Sequence, residues 1–163
     1  MIGYNLSQAF GIISVLMCLF WIGLGIYQYS QNRDSSDVDK SLIATYGLYV
    51  LAVVFGVIYK GLAVNCGPVV LPGREVAGIS FPSWHTMLYL VGMGSTTYLS
   101  GYFLEDKKVS KRRILMIRSL CVALMVLGVF VRMISGVEWL TDIVGAVCYT
   151  IPLLVVYSFF CEV

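Results

Sequence analysis

Charged side chains are scarce in this chain. Asp, Glu, Lys and Arg together make up 12% of its 163 residues, whereas 59% of the residues are hydrophobic. A soluble domain of this length cannot bury so much apolar surface, so a soluble protein is excluded. The net charge of +2 gives no support for nucleic acid as a partner, and we expect none, because the basic residues are concentrated in one short loop. The composition predicts an integral membrane protein whose partners are membrane lipids.

Histidine and paired cysteines are also scarce. His85 is the single histidine, and the chain has no C-x-x-C pair and no histidine at metal-ligand spacing from a cysteine. We therefore expect no metal and no cofactor, and we expect the cysteines to pack in the apolar core. The five cysteines are Cys18, Cys66, Cys121, Cys148 and Cys161.

Five apolar runs are each long enough to cross a bilayer as a helix of about 20 residues. They predict spans at approximately 8–29, 41–64, 83–103, 114–135 and 139–161. The start M-I-G-Y-N lacks the positive charge of a cleavable signal peptide, so we expect the first span to be retained. The prediction is an all-α polytopic membrane bundle of about five transmembrane helices. No connection is long enough for a second domain, so residues 1–163 are expected to form one integral membrane domain.

Positive charge is divided unequally between the two sides of this predicted bundle. Eight of the eleven Lys and Arg residues lie in the loops around 30–40 and 104–113 or just after them. The positive-inside rule places that side in the cytoplasm. The short chain favours a bacterial plasma membrane. The residues left for the extracytoplasmic side are Lys60, Arg74, His85, Arg132, Glu138 and Asp142.

A cluster of ionisable groups at one membrane depth is costly unless the groups are paired, face a wet cavity or function. Arg132 falls near the end of the fourth span, and Glu138 and Asp142, four residues apart, are predicted to share a face at the start of the fifth. Segment 65–81 contains three glycines and two prolines, and we expect it to fold over the outer mouth of the bundle. We interpret the cluster as a site for an anionic ligand.

The third span opens with Pro82-Ser83-Trp84-His85-Thr86. Proline suits a first helical turn, and Ser83 with the free amides of that turn makes an anion site. Arginines beside such a terminus suit phosphate, because forked donors and backbone amides satisfy its oxygens together. A histidine placed there can protonate a leaving oxygen. His85 is therefore a candidate for function rather than for packing alone.

Two segments carry a resemblance to a known family. F-P-S-W-H-T together with R-M-I-S-G-V-E-W-L-T-D-I-V-G resembles the type 2 phosphatidic acid phosphatase family, whose second and third motifs are P-S-G-H and S-R-x5-H-x3-D. The resemblance covers most of the chain from Lys60 to Ala146. It implies a lipid phosphatase that needs no metal and acts at the extracytoplasmic face. Substrates consistent with it are undecaprenyl diphosphate, phosphatidylglycerol phosphate and phosphatidic acid.

The resemblance also implies roles for residues. Ser83 and Arg132 become phosphate ligands, His85 becomes the acid for the leaving alkoxide, and Asp142 becomes the partner that orients the residue at position 138. Trp84 stands where the family has glycine.

The family's first motif, K-x6-R-P, matches less well. Arg74 is followed by Glu75, and Lys60 lies too far upstream for the spacing. Lys60 and Arg74 are carried over as further phosphate ligands on this weaker match. Val131 replaces the serine before the arginine of the third motif.

Position 138 decides how much activity the resemblance implies. The family has a nucleophilic histidine there, and this chain has Glu138. A carboxylate can be phosphorylated or can act as a general base on water. An ionised Glu138 also repels phosphate by several kcal/mol at about 4 Å. The hypotheses that stay open are turnover by a carboxylate, binding with slow or no turnover, and a glutamate introduced to disable a working enzyme.

Three other interpretations remain. The chain is a non-catalytic relative that binds a lipid phosphate or serves as a membrane subunit, or it is a headgroup transferase resembling sphingomyelin synthase. A metal site formed by His85, Glu138 and Asp142 is the third, although the neighbouring arginines would repel a cation. The sequence leaves the lipid and the oligomeric state open.

Overall fold

The computed structural model describes residues 2–32, 38–70, 73, 75–106 and 108–161. Four of its helices are long and apolar enough to cross a membrane, and the remaining one, α3, runs alongside them for a similar length. The prediction of an all-α polytopic membrane bundle is therefore confirmed. The helices are α1 (Ile2–Asn32), α2 (Lys40–Leu62), α3 (Trp84–Asp106), α4 (Lys111–Ile134) and α5 (Leu140–Cys161).

Helix α3 occupies the centre of the bundle and packs against each of the other four helices. Its apolar side chains Met87, Leu90 and Val91 belong to the main buried cluster. Its polar side chains are matched with partners on neighbouring helices, as lipid-embedded polar groups must be. Trp21 donates its indole N–H to Thr96 at 2.9 Å. The central position therefore accounts for the more polar sequence of α3.

Helix α1 begins at Ile2, earlier than the apolar run suggests. Ser7 and Ser14 on this helix are fully buried, and Gly11 lies against the ring of His85. These small residues share one helical face and allow close approach to α3. The polar start of α1 is thus part of the bundle rather than a tail ahead of it.

Helices α1 and α2 are joined near the α1–α2 connection. The Tyr46 hydroxyl donates to the carbonyl of Trp21 at 3.3 Å. Gln28 donates its side-chain amide to the Asp39 carboxylate at 2.6 Å and accepts the Asp39 backbone N–H at 3.1 Å. We call this end, with the basic α3–α4 connection, the basic end. The opposite end, where α2 and α4 finish and α1, α3 and α5 begin, is the site end.

The turn from α4 to α5 is tight. The Ser135 N–H donates to the Val131 carbonyl at 3.0 Å, and Gly136 then takes a positive φ of 66°, a conformation that costs glycine little. The chain therefore reverses within a few residues. This reversal returns the end of α4 and the start of α5 to the same place at the site end.

Candidate functional site

An ion pair between Arg132 and Glu138 lies at the site end. Arg132 is in the last turn of α4, and the two side chains are 5% and 9% exposed. Within the described part of the chain it is the one ion pair. A buried charge without its partner is strongly destabilising, so each of these two side chains depends on the other.

A hydrogen-bond chain through three helices fixes the other side of the Arg132 guanidinium. Arg132 Nη1 donates to Ser7 Oγ at 3.1 Å. Tyr89 donates its single hydroxyl hydrogen to the Ser7 carbonyl at 2.7 Å, so the 2.9 Å contact between the two hydroxyls has Ser7 as donor. Ser7 and Tyr89 are both fully buried. Arg132 is therefore held in one orientation by α1 and α3.

A cavity of about 180 Å³ opens beside this ion pair. Lys60, in the last turn of α2, lies at its edge with Nζ 5.9 Å from the centre of the Trp84 ring. The charged or titratable side chains that line the cavity are Lys60, His85, Arg132 and Glu138. Two cations and one carboxylate leave the cavity positive when His85 is neutral, which favours an anion.

Three buried polar atoms at the cavity have no partner in the protein: Arg132 Nε, Glu138 Oε2 and Ser80 Oγ. Buried polar groups are nearly always hydrogen-bonded, because leaving one unsatisfied costs about 1–3 kcal/mol. These atoms offer donors and an acceptor to a bound molecule. Ser80 was not predicted from the sequence, which gives it no motif or periodicity.

His85 is the second residue of α3, and its Nε2 lies 3.2 Å from Gln8 Oε1. An amide oxygen accepts hydrogen bonds, so this contact assigns the ring hydrogen to Nε2. Its ring also meets that of Tyr89 edge-on at 6.3 Å. Helix α1 thus positions His85 through Gln8, as it positions Arg132 through Ser7.

Asp142 is fully buried and lies behind the cavity rather than in its lining. Its Oδ2 accepts the Trp139 N–H at 3.0 Å and its Oδ1 accepts the Asn65 amide at 3.2 Å. An acid at the third helical position that reaches back to the residue before the helix is a capping contact. Its predicted role in orienting Glu138 stays a prediction.

This cap corrects one expectation about Glu138. Helix α5 begins at Leu140, so Glu138 lies in the turn before the helix and does not share a helical face with Asp142. The reason is that the Asp142 carboxylate ends the helix at Trp139 and leaves Glu138 free to turn toward Arg132. Within the described residues, His85, Glu138 and Asp142 form no group that could hold a metal ion.

Ser83 is fully buried and acts as the N-cap of α3. Its Oγ accepts the Thr86 N–H at 3.2 Å and donates to Thr86 Oγ1 at 2.8 Å. Its backbone N–H donates to the Asp142 carbonyl at 3.0 Å, which ties the starts of α3 and α5 together. The phosphate-binding role predicted for Ser83 stays a prediction.

The connection between α2 and α3 covers the site end. Gly67 donates its N–H to the Gly78 carbonyl at 2.9 Å, and Ser80 donates to the Asn65 carbonyl at 3.0 Å. Trp139 donates its indole N–H to the Cys66 carbonyl at 2.8 Å. Arg74 lies outside the described residues, so its predicted role in phosphate binding stays a prediction.

The structure thus brings four of the seven predicted site residues into one cavity, and it places Ser83 and Asp142 in the supporting contacts. It adds residues that sequence reasoning missed. The spacing of Ser7, Gly11 and Ser14, small residues on one face of an apolar helix, is a signal of close helix packing that would have pointed to α1. The added residues are Ser7, Gln8, Asn65, Ser80 and Tyr89.

The fold is similar to that of one solved structure. No family model and no curated protein matches the chain. The crystal structure of a transmembrane PAP2 type phosphatidylglycerolphosphate phosphatase from Bacillus subtilis matches it with a TM-score of 0.65 and 14% sequence identity. The match covers 97% of this chain and 74% of that chain. At this identity the likeness establishes the shared fold.

Proposed function

We propose that this protein is a membrane-embedded lipid phosphatase of the type 2 phosphatidic acid phosphatase family. The observation that carries the proposal is the cavity in which Lys60, His85 and Arg132 meet at one end of an apolar bundle. The fold shared with a PAP2 type phosphatase supports it. The substrate class is a phosphomonoester or diphosphate of a lipid, with undecaprenyl diphosphate, phosphatidylglycerol phosphate and phosphatidic acid as candidates.

Binding of the phosphate rests on charge and on free donors. Arg132 is held in a fixed orientation, and its Nε has no partner in the protein. Lys60 supplies a second positive charge at the rim of the cavity. A guanidinium, an ammonium and a serine hydroxyl can satisfy phosphate oxygens in a site from which water is largely excluded. In this proposal Ser80 donates its unpartnered hydroxyl to the same anion.

Hydrolysis in this site would proceed through the Glu138 carboxylate and His85. One carboxylate oxygen bonds to phosphorus while the bond between phosphorus and the leaving oxygen breaks, and protonated His85 gives its proton to the leaving alkoxide. Water then cleaves the acyl phosphate, returning Glu138 and releasing inorganic phosphate. Gln8 orients the imidazole that carries this proton.

Turnover is expected to be slow, because Glu138 is already paired with Arg132. An approaching phosphate must share or replace that carboxylate. Repulsion between two unit charges 4 Å apart amounts to about 4 kcal/mol at an effective dielectric constant of 20. The phosphate therefore gains the guanidinium only at the expense of the ion pair. The structure offers no histidine within the described residues to replace Glu138 as nucleophile, since His85 is the single histidine of the chain.

The second candidate function is binding of a lipid phosphate without hydrolysis, and the same ion pair favours it. A carboxylate that neutralises the main phosphate ligand suits reversible occupancy of the cavity better than repeated turnover. In this case the protein holds a phospholipid or polyprenyl carrier, alone or as a membrane subunit.

The site faces the extracytoplasmic side in this proposal. The support is the distribution of Lys and Arg, of which eight of eleven belong to the opposite end. The protein would then act on lipid in the outer leaflet of the cell membrane.

The test is phosphate release from the three candidate lipids by purified protein in detergent. The comparison uses the native chain and Glu138→His, each with and without His85→Ala. Release by the native chain that His85→Ala abolishes supports hydrolysis through the carboxylate. Release only after Glu138→His supports the binding function in an intact scaffold. Release that is unaffected by His85→Ala in both backgrounds contradicts the role of His85.

A further inference from the structure

A groove runs from the site end toward the middle of the bundle, with α1 and α2 as its sides and α3 as its floor. Its outer part, about 300 Å³, lies along Gly11 and Val15 of α1. Its inner part, about 210 Å³, lies between Cys18 of α1 and Ala52 of α2. Trp84 and Leu88 line both parts, so the two parts follow one another along one face of α1.

The groove joins the phosphate cavity at Trp84. This residue lines the cavity as well as both parts of the groove. Its ring lies so close to α2 that a Cβ added at Gly56 would be 2.0 Å from it. A molecule whose phosphate occupies the cavity therefore meets the indole ring first and the groove immediately after it.

The groove is open to lipid along its outer half. Helices α1 and α2 are joined by hydrogen bonds at the basic end, through Tyr46 and Gln28. Nearer the site end, Ile12 on α1 is 61% exposed and Val53 on α2 is 50% exposed. In a membrane these side chains face hydrocarbon, so a lipid chain can enter from the side while its headgroup enters the cavity.

Polar partners are scarce along this groove among the residues that the structure describes. Gln8 and His85 are bonded to each other at its outer end. The Tyr49 hydroxyl on α2 is bonded to Ser95 at 2.9 Å. One further donor is the indole N–H of Trp84. The carbonyls of a diacylglycerol backbone, which follow the phosphate within a few bonds, would therefore lie against apolar surface and lose hydrogen bonds that they make with water.

We infer that the lipid of this site is one whose hydrocarbon chain starts at the carbon that bears the phosphate, the class to which polyprenyl phosphates and diphosphates belong. The inference rests on the proposed function, since it assumes that a lipid phosphate occupies the cavity. It goes further by selecting among the candidate lipids. Glycerophospholipid phosphates, which place ester groups between phosphate and chain, are disfavoured.

The experiment compares lipids that differ in the linker alone. Oleyl phosphate and oleoyl lysophosphatidic acid carry chains of matched length, and geranylgeranyl phosphate supplies a prenyl chain. Binding to the purified protein in detergent is measured by the shift in thermal unfolding temperature with lipid concentration. Oleyl and geranylgeranyl phosphates are expected to bind roughly tenfold more tightly than the glycerol-linked lipid.

Two outcomes separate this inference from the proposed function. Equal or tighter binding of lysophosphatidic acid overturns the inference alone, because a lipid phosphate still binds. Absence of binding by all three lipids overturns the proposed function and the inference with it. A further arm with phosphatidic acid is expected to follow lysophosphatidic acid.

Variants in the groove sharpen the result. Leu88→Gln adds a hydrogen-bond donor to the lining and is expected to reduce the tenfold ratio toward one. Leu120→Gln, on an exposed face of α4, is the matched control and should leave the ratio unchanged. Trp84→Phe removes the indole N–H and keeps an aromatic ring, so the ratio should persist or rise. An unchanged ratio in Leu88→Gln, or a ratio lost in Trp84→Phe, contradicts the inference.

Discussion

Two arginines near opposite ends of α4 face the same central helix and meet different surroundings. Arg118 donates through Nε to the Thr97 carbonyl of α3 at 3.2 Å, and its guanidinium lies over Gly101. Arg132 is more deeply buried, pairs with Glu138 and borders a cavity. A backbone carbonyl cannot leave its helix, whereas a carboxylate in a turn can be replaced by another anion. Arg118 is therefore an anchor, and Arg132 is available to a ligand.

The two ends of the bundle differ in the same way. At the basic end, Asp39 accepts hydrogen bonds from Gln28 at 2.6 Å and from Tyr102 at 3.1 Å. Of the four buried side-chain atoms without a partner among the described residues, three lie at the site end, and the fourth is the hydroxyl of Ser41. Unsatisfied polar groups gather where a ligand can satisfy them.

The largest expected effect follows from removing each arginine in turn. Arg132→Met leaves the Glu138 carboxylate buried and unpaired, so the free energy of unfolding should fall by about 3–5 kcal/mol. Arg118→Met removes one hydrogen bond to a carbonyl and should cost about 1 kcal/mol. Equilibrium unfolding in mixed detergent micelles measures both. Equal losses would contradict the distinction between anchor and ligand-binding arginine.

A second pair of variants compares the carboxylates of the two ends. Asp142→Ala removes the acceptor for both Trp139 and Asn65 in a fully buried position, and should lower the free energy of unfolding by roughly 2–3 kcal/mol. Asp39→Ala lies in a half-buried position where water replaces the lost partners, so about 1 kcal/mol or less is expected. The same unfolding assay decides, and a larger loss for Asp39→Ala would reverse the comparison.

A third comparison concerns ligand affinity. Glu138→Gln removes the negative charge beside Arg132 and keeps the shape of the side chain, so a lipid phosphate should bind roughly tenfold more tightly. Glu105→Gln, an exposed carboxylate of α3, should leave the affinity unchanged. Titration calorimetry with oleyl phosphate measures the two dissociation constants. Weaker binding by Glu138→Gln would show that the carboxylate contributes to recognition.

The smallest effects are expected from two close helix contacts. A Cβ at Gly56 would meet the Trp84 ring at 2.0 Å, and one at Gly101 would meet Arg118 Nη2 at 1.7 Å. The end of an arginine side chain moves easily, so Gly101→Ala should cost less than about 1 kcal/mol. Gly56→Ala should cost more, because the packed indole must shift.

Gly47→Ala on α2, where a Cβ meets nothing within 4 Å, is the control for both alanine substitutions and should be neutral or slightly stabilising. Unfolding temperature ranks the three variants. A greater loss for Gly101→Ala than for Gly56→Ala would contradict the account of Trp84 as a packed part of the site.

The fold was predictable because apolar runs of membrane length leave helices as the main solution. The site was predictable in part because Lys60, His85, Arg132 and Glu138 are ionisable groups that topology places at one depth. These residues needed no knowledge of side-chain contacts. Counting charges on each side of the bundle was sufficient to bring them together.

The remaining site residues were hidden for physical reasons. Ser7 and Tyr89 sit inside or beside apolar runs, and their hydrogen bonds join helices far apart in sequence. The position of Glu138 depends on the Asp142 cap, which ends α5 two residues later. Residues four apart share a face only if both are helical, and the sequence does not show which of them lies inside the helix.

Phosphorus NMR of a lipid phosphate bound to the protein tests the central claim most directly, because it requires no turnover. The samples are the native chain, Arg118→Met, and Arg132→Met combined with Glu138→Gln, which leaves no buried charge unpaired. We predict that the ³¹P resonance of oleyl phosphate shifts and broadens with the native chain and with Arg118→Met, and stays at its free position with the double variant. An equal shift with the double variant would contradict the assignment of the cavity at Arg132 as a phosphate site.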